Sequence, residues 1–236
     1  MKIRVLTSLL LLVAATQLQA ASLGSFTQEA DAFFKKYVRN GMVDYAQVKS
    51  DDAIASLYEQ VGSMSLANTT AAQKKAFYIN AYNIAVIKSI VDKYPVNSPM
   101  DISGFFDGAK HQIAGNSLTL NELEKTKLLR VYEDARIHFV VVCAAQGCPK
   151  LASFAYTPEE LESQLQAQTR KSLNDDYFIR IRGNRVQVSK IFEWYASDFT
   201  QNGQSVVGYI NQFRDEKIPT NLRNGSYEYD WALNKQ

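Results

Sequence analysis

Two cysteines and two histidines are all that 236 residues provide, so thiol and imidazole chemistry has few places to occur. Such scarcity excludes a multi-bridge disulfide scaffold and any large zinc framework. No apolar run approaches the roughly 20 residues that a membrane-spanning helix requires, and Val5–Ala15 falls well short of it. Neither a Gly-x-Ser-x-Gly elbow, nor a phosphate-cradling glycine loop, nor a His-Glu-x-x-His helix is present, which leaves serine-hydrolase, nucleotide-hydrolase and zinc-protease readings without support. The sequence also lacks a Pro/Ser/Gly linker, an internal repeat and a low-complexity tract.

Lys2 and Arg4 precede the apolar run, and the small residues Ala20 and Ala21 follow it, the order of a secretory signal over 1–20. The mature chain is then a single domain over 21–236, expected to be periplasmic or secreted. No cysteine lies just past that junction, so a lipid-modified terminus is not expected. Removal of Lys2 and Arg4 equalises basic and acidic residues at 24 each. The signs are interspersed, as in Lys35-Lys36, Asp51-Asp52 and Glu159-Glu160, so a nucleic-acid partner is not expected. With 46% apolar residues the chain can bury one substantial core.

Helical spacing of Phe26, Ala30, Phe33, Phe34 and Tyr37 predicts a first amphipathic helix, and Ile54–Met64 a second. Thr70-Ala-Ala-Gln73 is a capping box that opens a long helix ending before Pro95. Its middle is apolar on almost every side, so Asn80 and Asn83 are buried amides that must find partners, in the fold or on a substrate. Lys110–Ala114 and Ser117–Leu120 around Gly115-Asn116 read as a hairpin, with His111 an exposed strand residue beside Lys110 and Gln112, and Asn121 as the cap of the next helix. Thr157-Pro-Glu-Glu160 reads as a second capping box before a helix over Leu161–Leu173. Tyr177–Ile181 and Arg185–Val188 form another hairpin, and Lys190–Phe199 and Val206–Phe213 the last helices. This order predicts an α+β fold with a central, mostly antiparallel sheet.

The stretch Arg136–Pro149 holds both cysteines and His138. Ile137–Val142 is β-branched and aromatic, so it reads as a buried strand ending in a thiol loop. On a regular strand His138 and Cys143 face opposite ways and stand roughly 16 Å apart. Cys148, beyond Gly147 where the chain can turn back, is the better nucleophile for His138 as base. A third polar group must orient the imidazole, with Glu124, Asn80 and Asn83 as candidates. A Cys143–Cys148 disulfide is the rival reading, and it removes the nucleophile. The Cys-x4-Cys spacing is wider than a zinc knuckle and no second pair follows, so no metal and no cofactor are predicted.

Several ordered pieces resemble a bacterial and plant family known as domain of unknown function 547. They are Val43-Asp-Tyr45, Ala76-Phe-Tyr-Ile-Asn-Ala-Tyr-Asn83, Leu118-Thr-Leu-Asn-Glu-Leu-Glu124, Arg136-Ile-His-Phe139 with Cys143–Pro149, Ser189-Lys-Ile-Phe-Glu-Trp-Tyr195 with Asp198-Phe199, and Tyr229-Asp-Trp-Ala-Leu-Asn234. Relatives often read Glu-His where this chain has Glu124-Lys125. The union of this domain with glutaredoxin-like domains in some eukaryotic relatives implies thiol or glutathione-related chemistry.

Two functions are therefore expected from the sequence. One is a thiol-dependent enzyme of papain-like or transglutaminase-like logic, acting by acyl transfer or hydrolysis on peptide or γ-glutamyl amides. Its catalytic residues would be Cys148, His138 and Glu124, with Asn80, Asn83, Cys143, Lys190 and Trp194 binding substrate. The other is a non-catalytic module that binds a small molecule or peptide and carries a structural disulfide.

Overall fold

The computed structural model describes residues 22–236, and the expected signal over 1–20 lies outside them. Helix α1 (Leu23–Tyr37) is capped by Ser22 and buries Phe26, Ala30, Phe33, Phe34 and Tyr37, the predicted stripe. It leads through the two-residue strands β1 (Val38–Arg39) and β2 (Met42–Val43) into α2 (Tyr45–Lys49) and α3 (Ala53–Ser63). Helix α4 (Ala71–Lys93) opens on the predicted capping box, with both Thr70 and Gln73 bonds present. Its run from Ala76 to Phe77 and from Ile79 to Ile87 is buried on every side, so neighbours pack all around it. One continuous apolar core runs from Phe26 to Leu233.

The fold is α+β, but its strands do not form one central sheet. Among the described residues there are two small two-stranded hairpins, β1–β2 and β3 (His111–Ile113) with β4 (Asn116–Leu118), and one three-stranded sheet. In the latter, β5 (Ile179–Arg182) pairs antiparallel with β6 (Arg185–Val188), and β7 (Arg223–Ser226) joins β6 in parallel, Val188 opposite Ser226. Helices occupy the centre.

After β4, Thr119 caps α5 (Leu120–Glu122) in a capping box with Glu122, so the cap lies two residues before Asn121. The chain continues as a π-helical stretch, Leu123–Leu129, and then α6 (Arg130–Tyr132), which stops where Glu133 turns left-handed at φ 46°. His111 is buried, contrary to expectation. Strand alternation sends His111 and Ile113 inward and Gln112 outward, against α3, where Ala114 N–H donates to Val61 O at 2.8 Å.

Ile137–Val142 is not a strand. Ala135–Phe139 forms a 3-10 helix capped by Asp134. Asn83 of α4 takes both backbone groups beyond it, donating to Val140 O at 2.8 Å and accepting from Val142 N–H at 3.0 Å. Side-chain capture of backbone here overrides β propensity. Helix α7 (Leu161–Leu173) spans the predicted residues; Thr157 Oγ1 accepts from Glu160 N–H at 3.3 Å, one half of the predicted box, while Glu160 at the cap position makes no side-chain cap bond. Helices α8 (Ile191–Trp194), α9 (Ala196–Phe199) and α10 (Val206–Phe213) follow, the first two divided at Tyr195.

The last ten residues bind distant parts together. Tyr45 Oη donates to Asn234 Oδ1 at 2.7 Å, Leu233 N–H donates to Asn97 O at 2.7 Å, and Gln146 and Gly147 N–H groups donate to Ala232 O and Asp230 O at 2.7 and 2.8 Å. Gly147 suits this crossing, because a Cβ there would lie 3.0 Å from Asp230 N and 3.1 Å from Asp230 O, tighter than ordinary contact.

Candidate functional site

The 3-10 helix that carries His138 is anchored by a buried ionic cluster. Asp134 bonds Arg136 through both oxygens, at 2.8 and 2.9 Å, and accepts from the nearly buried Lys75 ammonium at 2.6 Å. Burial alone would raise the Asp134 carboxyl, but the Arg136 and Lys75 hydrogen bonds outweigh it and hold the group at about 2.

The imidazole of His138 is 3% exposed and lies between two carboxylates. Its Nε2 is 2.7 Å from Asp198 Oδ2 of α9, and its Nδ1 is 4.0 Å from Glu124 Oε1 of the π-helical stretch. The Tyr195 ring covers one side at 4.2 Å between centroids and Phe199 lies at 5.2 Å. The hydrogen bond from His138 is the main cause that lowers the Asp198 carboxyl, whereas burial raises that of Glu124. His138 thus lies between one carboxyl group whose ionised form is favoured and another whose ionised form burial disfavours, unlike surroundings of the kind found at functional sites. The π-helical turn under Glu124 is itself of a kind that recurs at functional sites.

Cys143 and Cys148 are joined as a disulfide, with Cα atoms 6.3 Å apart. The Tyr229 hydroxyl is 3.1 Å from each sulfur, and Cys143 N–H donates to Cys148 Sγ at 2.9 Å. Burial raises the Tyr229 phenol above its ordinary range, so it remains a neutral donor. In this state neither sulfur is a nucleophile, and no hydrogen bond links Cys148 to His138, whose Nε2 is taken by Asp198. Cys148 is also buried.

These groups surround a cavity of about 480 Å³. Its polar corner is Glu124 and His138, its floor includes Tyr82, Val141 and the disulfide, and its wall is aromatic. Trp194, Tyr229 and Trp231 lie 4.7–5.9 Å apart between centroids, with Phe106 6.1 Å from Trp231. The loop Ile102–Asp107 closes another side, its bend made possible by Gly104 at φ +65° packed on Gly108. Among the described residues no group of three His, Cys, Asp or Glu side chains is arranged to hold a metal ion.

Of the residues expected at a site, Cys143, Cys148, His138, Glu124 and Trp194 share this cavity. Asn80, Asn83 and Lys190 are not in its lining. Both amides are satisfied by backbone, Asn80 on Tyr156 N–H and O at 2.9 and 2.8 Å, so their work is to hold loops in place. Lys190 pairs with Glu193 at 3.0 Å. Asp198, Tyr195, Tyr229 and Trp231 complete the site; by spacing alone Tyr195 reads as core packing and Asp198 as a carboxylate with a buried partner elsewhere, which is His138. Asp198 was the most legible of these, a carboxylate one turn beyond Trp194 on a helical stretch.

Residues 66–173 match the family model described as "Protein of unknown function, DUF547", and the chain carries a domain of that family. The matched span contains Glu124, His138 and both cysteines and ends before Trp194, Asp198, Tyr229 and Trp231. No curated protein and no solved structure matches the chain.

Proposed function

We propose that the protein binds a small organic ligand in the aromatic cavity, the ring wall taking its body and the Glu124–His138 corner its polar end. The observation that carries this reading is the cavity itself, whose volume is in the range of small-molecule sites and whose lining is largely apolar and aromatic, with Glu124 and His138 side by side at one corner. Because the chain has only two tryptophans and both line the cavity, intrinsic fluorescence reports occupancy directly. A panel of small metabolites should contain members that change this emission saturably and compete with one another. If no member does so, and the emission responds only to general quenchers, the cavity is not a ligand site.

A disulfide at the cavity floor and the leader-like segment over 1–20 support action outside the cytoplasm, in the periplasm or beyond the cell. Fractionation of cells expressing the full chain tests this, and a cytosolic, reduced protein would contradict it.

A second reading is favoured by one specific observation, that both sulfurs share the cavity with His138. After reduction by a dithiol, a thiolate there could attack an amide carbonyl, the imidazolium could protonate the leaving amine, and water could release the acyl group. Amide turnover that appears only in reduced protein, and disappears on alkylation with iodoacetamide, would establish it. Equal inactivity of oxidised and reduced protein on peptide and γ-glutamyl amides would remove it.

A further inference from the structure

We propose that the ligand is an organic cation, an ammonium group carried on an apolar or aromatic body. This rests on the reading of the cavity as a ligand site and goes beyond it by assigning the ligand's charge. The charged side chains in the lining are Glu124, deep in the cavity, and Asp107, on the exposed loop at its edge; the lining includes no lysine or arginine. An anionic ligand would meet carboxylates with no fixed positive charge to offset them. The one ionisable nitrogen in the lining, on His138, already has a carboxylate at 2.7 Å, that of Asp198.

The wall favours the same charge. Trp194, Trp231 and Tyr229 all line the cavity and are among the ring types that attract cations, and such contacts strengthen when the cation leaves water. Trp194 is half-exposed, unlike most large aromatic residues of this chain, which leaves ring surface free to receive a ligand. Glu124 gives a reason for the cation to enter fully. Burial raises its carboxyl although the Tyr195 hydroxyl hydrogen-bonds it and His138 lies 4.0 Å away, and an incoming ammonium supplies the counter-charge that favours its ionised form.

The test uses the full, oxidised chain and three probes on one skeleton, phenylpropylammonium, phenylpropanol and phenylpropanoate, titrated against tryptophan emission. We expect the ammonium to bind at least about tenfold more tightly than the alcohol and the carboxylate to bind weakest, a factor of ten being about 1.4 kcal/mol. Glu124→Gln should bring the ammonium-to-alcohol ratio close to one. Asp107→Asn, at an exposed loop position where folding is not at stake, should lower the same ratio by a smaller, few-fold factor. Equal or tighter binding of the alcohol or the carboxylate overturns the cation assignment and leaves the ligand site standing. Failure of all three probes to saturate any change in emission overturns both.

Discussion

The two histidines of this chain are both buried and both lie against a tyrosine, yet their surroundings differ in kind. His111 sits in a hairpin strand, with Nδ1 2.8 Å from Tyr58 Oη and no hydrogen-bond partner at Nε2. Burial pushes its pKa down, so it is held as a neutral core ring. His138 has a carboxylate on either side and a cavity beside it. Burial alone therefore makes an imidazole part of the packing, and the addition of charge partners and open space makes it part of a site.

The largest expected effect breaks the foundation that His138 has and His111 lacks. Asp134→Ala should cost about 3–5 kcal/mol in denaturant unfolding, because it leaves the nearly buried Lys75 ammonium without its counter-ion. In the wild type this contribution has a defined pH range. The Asp134 carboxyl falls from roughly 3.9 when unfolded to about 2 when folded, so its stabilisation is complete above the first value and lost as pH falls through the second. A wild-type stability that does not decline in that acid range would contradict the ionic anchor.

Next in size is the disulfide at the floor of the His138 cavity. Cys143→Ser and Cys148→Ser should each lower stability by about 2 kcal/mol, the loop-closure value for a short ring, and the double variant should cost no more than either single one. Unequal losses, with a thiol that reacts in unreduced protein, would mean that the bridge is not the resting state.

Asp198→Asn removes the charge on one side of His138 and should cost about 1 kcal/mol near neutral pH, since Asp198 is partly exposed. Its carboxyl is depressed on folding, so the wild-type advantage should be present above the unfolded carboxylate pKa and disappear as pH falls through the folded value. An equal difference between the two proteins at every pH would assign the loss to packing.

The smallest effect belongs to the other ring. His111→Phe should change stability at neutral pH by less than about 1 kcal/mol and leave ligand binding intact. It should also remove a decline in wild-type stability that begins as pH falls below roughly 6.5, where the unfolded chain takes up a proton that the folded His111 resists. A variant with altered tryptophan emission or ligand affinity would join His111 to the site and erase the contrast.

Local patterns made much of the scaffold legible. The α1 stripe and the Thr70–Gln73 capping box carry their own periodicity and caps, and the structure forms both where the pattern placed them. The failures occur where distant contacts decide. Ile137–Val142 has the composition of a strand, but Asp134 caps it and Asn83 takes its exit backbone, neither of which a local window shows. The polar neighbours of His111 suggest an exposed residue, whereas strict strand alternation buries it on the face opposite to Gln112. Within the site, Glu124, His138 and the cysteines can be found by residue type, and the disulfide is one of the two readings that the spacing of the cysteines leaves open. Tyr229 and Trp231 could not, because their place depends on the C-terminal segment crossing back over Gln146 and Gly147.

The central claim, that His138 belongs to a ligand site and His111 does not, can be read from the imidazole proton resonances of the oxidised protein, where two histidines give two signals. During titration with phenylpropylammonium the account predicts that one signal moves saturably, in step with tryptophan emission, while the signal deleted by His111→Phe stays fixed. Movement of the His111 signal alone, or saturation of the emission with both signals unmoved, would contradict it.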